Sequence, residues 1–307
     1  MNGIIQMTTL LLLALLMGCG TSDAPPSEPT AFDTTTVEQT RTLPYEMDAT
    51  SRRLFNEAMA YAREHDLARR PIGEVMQVMG EFFLRKPYVT GILDVPGEET
   101  LICRLDGFDC VTFVETTLAM ARGIEHGDFS EETFRQNVAD MRYRGGEMGD
   151  YCSRIHYFSE WISDNEARGT VVDVTEAIGG RPLDKRINFM SQNRDRYPRL
   201  ADDDEMFACI REMEEELAEV SFFYIPKRET RAAYDGLQAG DVIAIVTDIE
   251  GLDITHTGLA YDHGDGRIGL LHASTSGGVI VSPDLQDYLM NNRRQVGILV
   301  ARPAPQT

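Results

Sequence analysis

Cys110, His256 and His272 have the residue types and settings for nucleophilic chemistry. Cys110 stands in GFDCVTFVE, after a turn-like Gly-Phe-Asp and at the start of a helical run. The free N–H groups and macrodipole of a helix N-terminus favour a thiolate. The same N–H groups can receive a developing oxyanion. Covalent catalysis then needs a base within reach. His256 in THTGLAYD and His272 in RIGLLHAS lie on neighbouring strand candidates joined by a short turn. They are sixteen residues apart, an even separation. An odd loop length sets them directly opposite on one face, with Cβ atoms about 5 Å apart. One imidazole would be the general base and the other would fix its tautomer and orientation. The alternatives stay open: a cysteine opening a helix is commonly structural, and each histidine could serve a local hydrogen bond.

The remaining histidines read as structural. His263 belongs to the HGDG turn, and His65 and His126 sit at helix ends. A metal site would need His256, His263 and His272 together. Spacings of seven and nine do not bring three ligands to one face of a strand pair, and there is no HExxH pattern. The expectation is a reaction with no metal and no organic cofactor.

Periodicity supplies the elements that must carry these residues. Residues 51–66, 71–84, 110–122, 130–141 and 203–220 are predicted helices. Pro71 suits a first turn. Ser130, with Glu131 and Thr133 following, fits a capping box. Residues 242–248, 255–262, 267–274, 279–282 and 297–303 are β-branched, apolar and separated by Gly and Asp, so they are predicted strands. Helices first and an antiparallel sheet second is an α+β pattern.

The chain opens with an apolar stretch, Ile4 to Met17, followed by LMGC. That is shorter than the roughly 20 residues of a membrane span. It reads as a secretory signal over residues 1–18, and Leu16-Met17-Gly18 before Cys19 resembles a bacterial lipobox in which Cys19 takes the lipid. An ordinary cleaved signal is the alternative. Residues 19–45 are rich in Pro, Ser, Thr and acids and read as a flexible tether. Residues 46–307 are enough for one domain with a sizeable core. The net charge is -21, which argues against a nucleic-acid partner. There are five cysteines. With Cys19 lipidated and Cys110 free, Cys103, Cys152 and Cys209 cannot all pair, and they are expected to be small buried apolar residues.

Several segments in one order carry a resemblance: PYVTGILD (Pro87 to Asp94), FDCVTFVE, LQAGDVIAI (Leu237 to Ile245), HTGLAY and LLHAS. They resemble the NlpC-type papain-like cysteine peptidases, which cut bacterial cell-wall peptides. SRIHYFSEWISDNEARG (Ser153 to Gly169) and INFMSQNRDRYPRL (Ile187 to Leu200) add a resemblance to the N-acetylmuramoyl-L-alanine amidase-like branch. The resemblance implies a papain-like α+β fold, with the nucleophile's helix packed on an antiparallel sheet or barrel and a helical insertion at about 140–235. It implies Cys110 as nucleophile, His256 as base and His272 as the orienting residue. Tyr88, Asp109, Arg154, His156 and Tyr157 are implied substrate contacts, with a structural network as the alternative for the last three. The serine and glycine usual after the nucleophile are Val111 and Thr112 here. The implied activity is hydrolysis of the amide between N-acetylmuramic acid and L-alanine. The alternatives are a γ-D-glutamyl-diamino acid endopeptidase and a non-catalytic wall-binding lipoprotein. The expected setting is a monomer, lipid-anchored in the cell envelope at the periplasmic side of the outer membrane, acting on muropeptides.

Overall fold

The computed structural model describes residues 45–305. The signal segment, Cys19 and the tether as far as residue 44 lie outside the described residues. Nine α-helices are described: α1 (Ala49–Glu64), α2 (Ile72–Phe82), α3 (Cys110–Glu125), α4 (Glu131–Arg142), α5 (Phe158–Ala167), α6 (Phe189–Gln192), α7 (Pro198–Ala201), α8 (Asp204–Leu217) and α9 (Leu285–Met290). The strands are β1 (Tyr45–Glu46), β2 (Leu101–Ile102), β3 (Val171–Asp173), β4 (Arg181–Pro182), β5 (Phe223–Pro226), β6 (Val242–Thr247), β7 (Ile254–Asp262), β8 (Ile268–Ser274), β9 (Gly278–Ser282) and β10 (Gln295–Pro303). The fold is mixed α+β. The large sheet runs β4-β5-β10-β6-β7-β8-β9, with β3 also on β10, and its pairings are antiparallel.

Local chemistry starts the helices where the sequence puts short polar side chains. Asp48, Asp109, Ser130, Asp203 and Asp284 each accept a backbone N–H from the first turn of α1, α3, α4, α8 and α9. The five predicted helices form within two or three residues of their expected ends, and so do the five predicted strands. Alternation along the strands divides the sheet into two faces. Val242, Ala244, Leu259, Leu271 and Ala273 face the large core shared with α2 and α3. Ile243, Ile245, Ala260, Leu270 and Val300 face a smaller core closed by Leu285 and Leu289 of α9.

Helix α3 is buried nearly all round, from Thr112 to Ala121. It lies between α2, α4 and the β7–β8 part of the sheet. One buried ion pair fixes it: Glu115 of α3 accepts from Arg142 of α4 at 2.8 Å, and Arg142 also donates to the Ile102 carbonyl at 2.7 Å. Removing either partner would leave an uncompensated buried charge.

The expectation for the cysteines needs one correction. Cys103 is a buried free thiol, but Cys152 and Cys209 form a disulfide. It joins the turn Tyr151–Ser153 to α8, two segments 57 residues apart in sequence that the fold brings together. Within the described residues no helix is long and apolar enough to cross a membrane.

The disulfide closes a long loop, so its loss should cost about 2–4 kcal/mol. The double variant Cys152→Ser/Cys209→Ser is expected to melt several degrees lower by calorimetry. An unchanged melting temperature would mean that the bond does not hold the segment between α5 and α8.

Candidate active site

Cys110 is the first residue of α3. Asp109 caps the helix: its Oδ1 accepts the Thr112 N–H at 2.8 Å, while the Thr112 hydroxyl accepts the Asp109 N–H at 3.1 Å. This reciprocal cap leaves the N–H groups of Cys110 and Val111, which have no intrahelical acceptor. Both favour the thiolate of Cys110, as does the Thr257 N–H from β7. Thr257 is available because the β7–β8 ladder ends at Leu259–Leu271. The thiol therefore sits where the sheet opens, facing strand backbone as well as its own helix.

The two histidines meet, although not directly opposite each other as expected. The β7–β8 register, continued past Leu259–Leu271, sets Gly258 across from His272. His256 reaches His272 diagonally, with Nε2 of His256 and Nδ1 of His272 2.7 Å apart. Gly258 makes room for this: a Cβ there would stand 2.8 Å from the His272 Cβ. A β-bulge between Ile254 and His256 re-aims the strand at this point. The row continues to β9, where Ser282 Oγ lies 3.1 Å from His272 Nε2. A proton on each Nε2 satisfies the whole row and leaves His256 Nδ1 as the unprotonated nitrogen. Tyr288 of α9 packs edge-on to His272, with ring centroids 5.0 Å apart. Sequence patterns gave no sign of Ser282 or Tyr288, because their roles depend on a diagonal across three strands and on a short helix that covers it.

Cys110 and His256 line one cavity of about 200 Å³, with Val111, His156, Tyr157, Trp161, Asp253 and Thr257 in its wall. His156 lies there with Nε2 on the Tyr151 carbonyl at 2.8 Å. Tyr157 donates its hydroxyl to Glu214 at 2.7 Å and accepts the Met190 N–H at 2.7 Å. Arg154 is buried, donating to the Leu93 carbonyl at 2.6 Å and lying 3.5 Å from Glu99 and 3.6 Å from Asp94. Tyr88 is half-buried on the extended segment bridged to Phe108, close to Cys110 and Asp109. Asp253, which the sequence did not single out, is fully buried. Its Oδ2 accepts from the Ser159 N–H and hydroxyl, both at 2.8 Å, and so ties β7 to α5. His263 lies at the other end of β7, its Nε2 on the Pro283 carbonyl. Among the described residues no three His, Cys, Asp or Glu side chains converge as a metal site.

The electrostatics oppose the simple helix-dipole expectation. Burial, and then the Asp109 charge, push the Cys110 thiol up to about 12, outweighing the three N–H groups that favour the thiolate. Burial pushes His256 down to about 4. Burial and the neighbouring His256 push His272 down to about 3. The resting site at neutral pH is a neutral thiol beside neutral imidazoles.

Residues 78–298 match the N-acetylmuramoyl-L-alanine amidase-like family, and the chain belongs to that family. It is similar to an N-acetylmuramoyl-L-alanine amidase from Bacteroides uniformis, with a TM-score of 0.71 and 34% identity over 76% of this chain and 98% of that one. A Bacteroides fragilis structure provisionally named a xylanase is also similar, with a TM-score of 0.65 and 34% identity over 73% of this chain and 98% of that one. A Legionella pneumophila protein at 23% identity shares the fold, with a TM-score of 0.58 over 83% of this chain and 97% of that one. No curated protein matches the chain.

A neutral resting thiol has a testable signature. Because the thiol is raised to about 12, its thiolate fraction should climb about tenfold per pH unit through neutrality. Iodoacetamide should label Cys110 ahead of buried Cys103, at a rate that rises steadily from pH 6 to 9. A rate already at plateau at pH 6 would reveal a preformed thiolate–imidazolium pair instead.

Proposed function

We propose that this protein is a cysteine-dependent cell-wall hydrolase that cleaves the amide between N-acetylmuramic acid and L-alanine, on a papain-like scaffold of the NlpC type. One observation carries the reading: a free Cys110 at a helix N-terminus and His256 line a single cavity, and His272 stands behind His256 at hydrogen-bond distance. The family and the similar Bacteroides uniformis amidase point to the bond.

In this mechanism His256 Nδ1 takes the Cys110 proton as the sulfur attacks the lactyl carbonyl. The Cys110 and Val111 N–H groups hold the resulting oxyanion. His256 then returns the proton to the departing L-alanine nitrogen, which leaves a thioester on Cys110. Water, deprotonated by His256, attacks the thioester and frees the acid and the thiol. His272 accepts the His256 Nε2–H throughout, and Ser282 holds His272 in the tautomer that allows this. The neutral resting pair suits such chemistry, because charge appears only when substrate displaces water and supplies the oxyanion.

An endopeptidase acting on the same peptides would need a carboxylate near Tyr88 to bind a free amino terminus. Asp109 lies close to Tyr88 and caps α3 through its Oδ1, so it is the family and the similar amidase, not this carboxylate, that favour the amidase reading. A non-catalytic wall-binding role is disfavoured by the unpaired thiol lining a cavity. Lipidation at Cys19 would tether the domain to the outer membrane at its periplasmic side, a proposal that mass spectrometry of the mature amino terminus addresses.

Mass spectrometry of digested muropeptides names the bond: release of intact stem peptides beginning with L-alanine is expected. His256→Gln should lose a factor on the order of 10⁴ in turnover, by analogy with other triads. His272→Gln should keep measurable activity, since an amide oxygen can still accept the His256 N–H. With both variants folded by circular dichroism, equal residual rates would reassign the base to His272.

A further inference from the structure

The catalytic cavity, at about 200 Å³, is smaller than the roughly 300–1,000 Å³ of sites that enclose a whole small ligand. A muropeptide must therefore extend beyond it. A second groove of about 650 Å³ is bounded by the loop Asp94 to Gly97 and by Tyr197, Arg199 and Met206. Tyr151 forms part of its wall and leads back to the thiol. Its ring lies 4.4 Å from that of His156, its carbonyl holds His156 Nε2, and His156 lines the catalytic cavity. This aromatic pair borders both spaces.

The groove has fixed walls. The guanidinium groups of Arg154 and Arg199 lie over the Tyr151 ring at 4.9 and 5.2 Å. Arg199 is itself held by the Gly97 carbonyl at 2.6 Å. The Cys152–Cys209 disulfide joins the Tyr151 turn to the helix that carries Met206. Its charges are mostly answered. Asp203 caps α8 through the Met206 N–H at 2.8 Å, and Asp94 faces Arg154 at 3.6 Å. Arg196 differs: it lines the groove, is exposed, and has no carboxylate partner among the described residues.

We propose that this groove is a peptide subsite, in which Arg196 holds the terminal carboxylate of the stem peptide while the scissile amide lies at Cys110. The proposal rests on the amidase reading above. Charge selects the occupant: a peptide ends in a carboxylate, whereas a neutral sugar ring offers Arg196 nothing to pair with. The flat faces of Tyr151 and Tyr197 and the apolar Met206 suit the peptide body.

The test compares N-acetylmuramoyl-tetrapeptide, the same compound with its terminal carboxylate amidated, and N-acetylmuramoyl-L-alanine. Arg196→Ala should raise KM for the free-acid tetrapeptide about tenfold with kcat nearly unchanged, as expected for loss of a charge-assisted contact at a solvated site. Arg196→Lys should recover part of the loss. The amidated compound should show the raised KM with the unaltered protein and no further rise with Arg196→Ala. N-acetylmuramoyl-L-alanine should be indifferent to Arg196. A KM for the free-acid tetrapeptide within twofold of normal in Arg196→Ala, or an equal loss for all three substrates, would overturn the subsite. Failure of the unaltered protein to cut any of them would overturn the amidase reading instead. In that case, direct calorimetric titration of the free tetrapeptide into Cys110→Ala, with and without Arg196→Ala, still tests the subsite: equal affinities would overturn it.

Discussion

The structure turns on one junction, where the first turn of α3 meets the end of the β7–β8 ladder. Pairing stops at Leu259–Leu271, and just beyond it the Thr257 N–H is among the backbone groups that favour the Cys110 thiolate. Because the strands part there, Cys110 reaches a cavity that also holds His256, which projects from the same stretch of β7. Everything behind the junction restrains it. Asp109 fixes where the helix begins, and the Glu115–Arg142 pair ties its second turn to α4. The apolar stripe through Phe113, Val114 and Leu118 is sealed in the core. A helix anchored along its whole length can hold one thiol in a fixed position at its tip.

Two opposing effects set the thiol's character, and burial is the larger. Three backbone N–H groups favour the anion, yet desolvation and the Asp109 carboxylate outweigh them. The same desolvation keeps both imidazoles neutral, and their mutual proximity works in the same direction on His272. A neutral thiol and neutral imidazoles avoid the large penalty of burying an ion pair. In the proposed mechanism the site's backbone dipoles would be in place before the reaction creates charge.

Much of this was legible in the residues, for identifiable reasons. The α3 start was readable because Asp109 and Thr112 form a cap whose partners are three apart in sequence. The strands were readable from β-branched alternation. Cys110, His256 and His272 stood out by residue type and by a parity that puts two histidines on one face. Their exact pairing was not readable: a bulge at Thr255 and the space at Gly258 turn an opposed pair into a diagonal one. Ser282, Tyr288 and Asp253 escaped because their significance lies in contacts across strands or across the insertion. The Cys152–Cys209 bond escaped because arithmetic on cysteine number cannot say which residues the fold brings together. The short strands β3, β4 and β5 escaped because two to four residues carry no periodicity.

The long stretch between Cys110 and His256 becomes intelligible through its attachments. It is joined to the strand bearing His256 by Asp253, whose carboxylate takes both donors of Ser159 at the start of α5. It is joined to itself by Glu214, which takes the Tyr157 hydroxyl and the Ser191 N–H. The disulfide closes it onto the Tyr151 turn. Each attachment ends beside a wall of the catalytic cavity or of the groove next to it. Residues that would recognise substrate and the residue that would move protons are therefore linked by buried bonds. A shift in the wall would also shift β7, so geometry for binding and geometry for chemistry are held by the same few buried bonds.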